Sequence, residues 1–206
     1  MARCLGSKCK QCRREKMKLF LKGERCYIHC PIDKKGAVPP GQKGSRTSFK
    51  RMSDYGRQLR EKQKIKKIYG ISEKQLKNYF KKAFKNKQST SEFLLQMLET
   101  RLDNVVYRLK FAPSRSLSRQ IVDHKHVLVD GKKVNIPSYQ LKPEQIISLN
   151  SKILETAAIK KSLAEKAKMP DWLKRKAAVG QIVRFPKRDE IEADIDDQLI
   201  VEYYSR

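Results

Sequence analysis

The chain has 206 residues, with 48 Lys or Arg against 22 Asp or Glu, a formal net charge of +26 and a pI near 10.0. That length admits one or two domains with a real core, while 34% charged and 39% hydrophobic residues leave more charged surface than an ordinary soluble domain carries. The sequence has no long apolar run, signal peptide or Arg/Ser-rich transit segment, so a membrane partner is excluded and a soluble cytoplasmic protein is expected. The charge is uneven. Residues 1–87 carry 27 basic and 6 acidic side chains, net +21, whereas residues 88–206 carry 21 and 16, net +5. Such a field attracts phosphate backbones and releases their counterions, which points to nucleic acid.

All five cysteines lie in the first thirty residues: Cys4, Cys9, Cys12, Cys26 and Cys30. Cys9 and Cys12 form a C-x2-C knuckle, and Cys26 and Cys30 follow after a basic spacer. Four thiolates gathered in this way can hold one tetrahedral Zn2+ and fold a segment too charged to build its own core. The alternatives are a disulfide framework, which needs an oxidising compartment, scattered free thiols, and a 4Fe–4S cluster, for which nothing suggests redox work. Cys4 reads as a spare, and the fourth ligand is either Cys30 or His29.

Residues 31–52, rich in Pro, Gly and Lys, are expected to be an extended connector. A helix is predicted from near Ser53 to Gly70, and another from Ser72, with Gln75 completing a capping box. Leu76, Tyr79, Phe80, Ala83 and Phe84 fall on one face of that second helix, as core rather than stacking residues. Ser89 with Glu92 opens a third helix, with Phe93, Leu94, Met97 and Leu98 on one face. A short helix follows, carrying Leu102, Val105, Val106 and Leu109 and ending before Pro113. Ser114 opens another, with Leu117, Ile121 and Val122 inward.

The hydrophobic period then switches to 2. Residues 126–129, Asp130-Gly131 and residues 132–134 spell strand, type I′ turn and strand, and a further strand is expected over 146–149. Residues 151–168 read as helical, residues 169–173 as a break and residues 180–188 as extended. Seven acidic residues crowd positions 189–202, ahead of an apolar-aromatic end at Leu199, Ile200, Val201, Tyr203 and Tyr204. That block would either pack on its own chain or dock on a basic protein neighbour.

Arg101 to Pro143 strongly resembles the RNA-binding module named after bacterial ribosomal small-subunit protein four. Pro39 to Gln42, Tyr55 to Lys64 followed by Ile68 to Gly70, and Gln198 to Arg206 resemble that ribosomal protein family in the same order, so the likeness covers essentially the whole chain. It implies an α+β fold: a mainly helical domain, an inserted α+β module of two short helices, a β-hairpin and a further strand, and an extended N-terminal zinc-knuckle arm. The corresponding division is 1–44 for the arm and linker, 45–98 for the helical rRNA-binding domain completed by about 180–206, and 99–179 for the module with a trailing helix.

The resemblance further implies a structural constituent of the small ribosomal subunit. Such a protein is a primary binder of the 5′ domain of 16S-type rRNA, nucleates subunit assembly and contributes to translational accuracy. Its implied neighbours are ribosomal proteins five and three and the messenger RNA near its point of entry. The sequence departs from the family pattern in having three rather than four residues between Cys26 and Cys30, Lys110 and Lys125 where glycine is common, and Glu144-Gln145 in place of Gly-Asp.

RNA helices offer side chains chiefly phosphates, 2′-hydroxyls and shape, so Arg and Lys on rigid elements are the residues required. Candidate RNA-binding residues are Arg3, Lys8, Arg13 and Arg14 in the arm and Arg57, Arg60, Lys62, Lys66 and Lys67 in the first long helix. In the module, Arg115, Arg119, Gln120, His124, Lys125 and His126 match the family's RNA-facing positions. Asp103 reads as a cap or an ion-pair partner of an arginine. No P-loop, dinucleotide-binding glycine pattern, nucleophile elbow or HExxH is present, so no enzyme is expected.

Overall fold

The computed structural model describes residues 6–41, 52–86, 89–165, 169–191 and 195–206, so Arg3, Cys4 and residues 42–51 of the expected connector lie outside the described residues. The chain divides into two compact units, Met1–Phe93 with Ala193–Arg206, and Leu94–Glu192.

In the first unit the arm forms short helical turns, α1 (Lys8–Arg14), α2 (Arg25–Ile28) and α3 (Pro31–Lys35), rather than the extended segment expected. Pro31 supplies the pre-set φ that suits the first helical position. Lys18 bonds Asp33 in the same helix at 2.7 Å, and Leu19, Leu21, Cys12 and Cys30 are buried. Helix α4 (Asp54–Tyr69) starts where the Ser53 side chain accepts from the Gly56 amide and stops at Gly70, whose φ of 63° a side chain would resist. Helix α5 (Glu73–Phe84) carries the expected capping box of Ser72 and Gln75. Its inner face is narrower than predicted. Leu76, Phe80 and Ala83 are buried, Tyr79 is half-buried and Phe84 is 65% exposed. Helix α6 (Thr90–Glu99) is rotated by about one position from the predicted face, burying Leu94, Leu95, Leu98 and Glu99 while Phe93 and Met97 are half-buried.

The second unit begins within α6, at Leu94, and continues with α7 (Leu102–Arg108) and α8 (Arg115–Asp123), the latter capped by Ser114. Strands β1 (Val127–Val129) and β2 (Lys132–Val134) are joined by Asp130 and Gly131 with φ of 50° and 78°, the paired positive values a type I′ turn demands. Strand β3 (Ile146–Leu149) returns beside β1. The segment read as one helix over 151–168 is two, α9 (Ser151–Leu154) and α10 (Ala157–Ala164), because Thr156 takes an extended ψ of 125° between them.

Two further strands, β4 (Leu173–Lys176) and β5 (Val179–Ile182), complete an antiparallel sheet of order β2-β1-β3-β5-β4. The stretch 169–173, read as a break, is non-helical and also delivers Trp172, 1% exposed, to the core. Strand β4 was not legible because it reads Leu-Lys-Arg-Lys. It is an edge strand, where charge discourages pairing with other chains. Its Arg175 is turned to use, donating to the carbonyls of Leu109, Lys110 and Leu163. The inward residues Val127, Val129, Ile147, Leu149, Leu173 and Ile182 close on Leu102, Val105, Val106, Leu109, Ile121 and Val122 from the two helices.

Gly180 sits where the sheet meets Leu109. A methyl group there would lie 2.5 and 2.7 Å from the two Leu109 δ-carbons, inside a packed core. Gly180→Ala is therefore expected to cost about 1–3 kcal/mol through overpacking, read as a fall in the urea midpoint. An unchanged or raised midpoint would show that Leu109 yields freely.

A 3₁₀ turn at Arg188–Glu190 precedes α11 (Asp197–Ser205), which returns to the first unit and packs along α4. Ile200 is buried there, Gln58 donates to Glu202 at 2.9 Å and the Tyr204 hydroxyl donates to Glu73 at 2.9 Å. The acidic-aromatic terminus is thus a packed helix of its own chain. No described helix is long and apolar enough to cross a membrane.

Candidate nucleic-acid interface

Between α6 and α8 runs a buried polar network that positions the module's leading arginine. The Glu99 carboxylate, 1% exposed, accepts from both Nε and a terminal nitrogen of Arg108 at 3.0 and 2.9 Å and from Asn104 at 2.7 Å. Asn104 in turn accepts from Arg115 Nε at 2.8 Å, and the Arg115 guanidinium lies 4.4 Å from the Tyr107 ring centre. Arg115 is half-buried, so its charge is held in one orientation at the surface by a network that is itself desolvated. Asp103 is ion-paired with Arg101 at 2.7 Å and buried, the partner role expected of it.

Along α8, Gln120, His124 and Lys125 are exposed and His126 half-buried, with the two imidazoles 6.2 Å apart. Lys125 turns the chain with a φ of 62° where glycine would be easier, and Lys110 and Glu144 do the same at 57° and 71°. Arg119 departs from expectation. It is 6% exposed and so contributes to the module's interior.

The first unit sorts its cations less evenly than the sequence suggested. Arg57 is exposed and pairs with Asp54 at 2.7 Å. Arg60 and Lys67 converge on Glu15, whose side chain is 1% exposed, tying the arm to α4. Lys62 is the clearest correction. It is 5% exposed, donates to Glu73 at 2.9 Å and lies 4.4 Å from the Tyr203 ring centre, so it holds α4, α5 and α11 together instead of facing RNA. Lys66 also reaches Glu73, at 3.3 Å. Burial opposes ionisation of Glu73, but hydrogen bonds from Lys62 and Tyr204 outweigh it and hold the carboxyl below its usual range. Lys8 and Arg13 are half-buried on α1, and Arg14 is exposed. Arg13 also lines an open groove with Arg25, Lys34 and Lys35. The lysines of α5 and the cations Arg25, Lys34 and Lys35 are not among the residues singled out from the sequence, although they lie in plain basic runs.

The four thiols of Cys9, Cys12, Cys26 and Cys30 line one small cavity with Leu21 and His29. Burial raises the Cys12 thiol, a hydrogen bond from the Leu19 backbone opposes this, and the other three thiols add to the rise. The Lys22 amide donates to Cys26 Sγ at 3.3 Å. Among the described residues, no three His, Cys, Asp or Glu stand in metal-ligating geometry. The chemistry of the donor set nonetheless suits a soft divalent cation, since crowded thiolates repel and backbone N–H groups already point at two of the sulfurs.

Two family models match in tandem, the ribosomal protein S4/S9 N-terminal domain over residues 3–99 and the S4 domain over residues 100–147. The small ribosomal subunit protein uS4 of Natranaerobius thermophilus is 49% identical over 211 residues, covering all of both chains. The chain belongs to the uS4 ribosomal protein family. The uS4 proteins of Thermodesulfovibrio yellowstonii and Endomicrobium trichonymphae are 50% and 48% identical, again across the whole of each chain. The uS4 family is one of ribosomal structural proteins and not of enzymes.

Proposed function

We propose that this protein is a structural constituent of the small ribosomal subunit and binds its rRNA. The observation that carries the reading is the full-length match to uS4 in a chain with a net charge of +26. It works in the cytoplasm as part of the ribosome. More finely, it is a primary binder of the 5′ domain of the 16S-type rRNA, helps nucleate assembly and influences translational accuracy. Ribosomal proteins five and three and incoming messenger RNA are its neighbours. Lys8, Arg13, Arg14 and Arg57 meet phosphates from the helical unit, and Arg115, Gln120, His124, Lys125 and His126 do so from the module. In a low-salt gradient the cellular protein is expected to sediment with small subunits, and protein running free at the top would reject the reading.

The arm holds one structural Zn2+ through Cys9, Cys12, Cys26 and either Cys30 or His29. The support is the shared cavity of four thiols with two backbone donors to sulfur. Bound there, zinc would supply cross-linking of α1 to the loop around α2. Protein purified without chelators is expected to contain about one zinc per chain by elemental analysis, as four thiolate ligands imply, and to lose it in Cys9→Ser/Cys12→Ser. A metal-free preparation, or full retention in that variant, would remove the site.

A further inference from the structure

We infer that the outer face of α5 is a second RNA-binding surface, on which an unpaired base of the ribosomal RNA stacks against Phe84 while the lysines beside it hold the flanking phosphates. The inference deepens the rRNA-binding reading and rests on it.

Lys74, Lys77, Asn78, Lys81, Lys82 and Lys85 recur at helical spacing and are all exposed. At 3.6 residues per turn they occupy an arc of about 140° and, at 1.5 Å rise, a length of about 16 Å. None of the five lysines is ion-paired to a described residue. This sets α5 apart from α4, where Lys62, Lys64, Lys66 and Lys67 are all matched to glutamates. The acidic residue of α5, Glu73, is already engaged by Lys62, Lys66 and Tyr204 and does not offset the stripe. Like charges three and four positions apart on a helix repel, so the isolated face is unfavourable and a polyanion relieves it.

The second observation is aromatic. Tyr204 and Phe80 stack with ring centres 4.8 Å apart and planes 29° from parallel, and Phe80 and Phe84 continue the stack at 6.1 Å and 26°. Phe84 ends the row and is 65% exposed. By helical spacing it borders the stripe, about one turn from Lys81 and about two from Lys77. A ring backed on one side by two others and open on the other is a platform for a planar partner. A nucleobase with phosphates on either side matches both halves of the surface, as in single-strand binding grooves. A duplex would satisfy the lysines but leave the ring unused, which favours an unpaired segment.

The test uses the full chain and transcribed small-subunit rRNA. Lys77→Ala/Lys81→Ala/Lys82→Ala/Lys85→Ala keeps helix propensity and is expected to retain the parent's thermal midpoint while making the log–log salt slope shallower by about 2–4. Phe84→Leu is expected to weaken binding about tenfold through lost stacking, and Phe84→Trp to keep it. The Phe84→Trp emission is expected to be quenched by RNA, readable because the native Trp172 is buried. Variants with the parent's affinity and slope, and no quenching, would overturn this inference alone while the parent still binds. Quenching by poly-glutamate as strong as by RNA would overturn it in favour of an acidic protein. A parent that does not bind rRNA would remove both readings.

Discussion

Raising salt from 50 to 200 mM is expected to weaken binding of this protein to small-subunit rRNA by about 10³–10⁵-fold. The expectation follows from a counterion argument. Neutralising about eight to ten phosphates gives a log–log slope of roughly −5 to −9, and a fourfold change in salt raised to those powers spans that range. The cations are not equivalent, however. Lys62 and Lys67 are matched internally to Glu73 and Glu15, so their removal should lower stability and leave the slope nearly unchanged. Arg14 is exposed on α1, and Arg14→Ala should reduce the slope by roughly 0.7–0.9. Filter binding across a salt series measures both, and a parent slope near zero would reject a phosphate-dominated interface.

Glu99→Ala is expected to destabilise the second unit by about 3–5 kcal/mol. Arg108 is 7% exposed, and its Nε and one terminal nitrogen both donate to that carboxylate. Removing the acid takes the carboxylate from a buried guanidinium and leaves Asn104, which positions Arg115, with only its bond to the Glu99 carbonyl at that end. Glu99→Gln retains one acceptor and the shape of the side chain, and so should cost less than the alanine change. Urea unfolding followed by the fluorescence of Trp172, the one tryptophan of the chain and part of that core, reads the effect. A loss under about 1 kcal/mol would show that Arg108 finds water or another acceptor. The same variant should weaken rRNA binding modestly beyond its stability effect, because Asn104, which orients Arg115, is held by one bond fewer.

Local signals were the legible ones. Ser53 and Gly70 bracket α4, Ser72 and Gln75 open α5, and Asp130-Gly131 turns the hairpin, each because a few adjacent residues determine the backbone. Long-range choices were not. Within the run from Lys62 to Lys67 nothing nearby says which lysine turns inward. Lys62 is selected by Glu73 and by Tyr203, 141 residues away. Phe84 belongs to the apolar spacing of α5 but lies past the edge of what the helix covers. Strand β4 was obscured for a related reason, whereas β5 falls largely within the stretch 180–188 read as extended. Lys174 and Lys176 hide the alternation, and Ala177 takes a φ of 50° at a turn usually announced by glycine. At the interface the chemistry of the cations was readable from composition, whereas their division into internal and outward roles needed the positions of Glu15, Glu73 and Glu99.

The return of α11 to the first unit has a consequence for biogenesis. Helix α4 emerges about 140 residues before the segment that covers it, while Leu94–Glu192 is contiguous and can fold as soon as it clears the exit tunnel. The α+β unit therefore matures first during synthesis. The helical one waits, with the flank of α4 uncovered, until α11 is released, so synthesis halted before Asp197 would yield a chain with a finished module and an unfinished anchor.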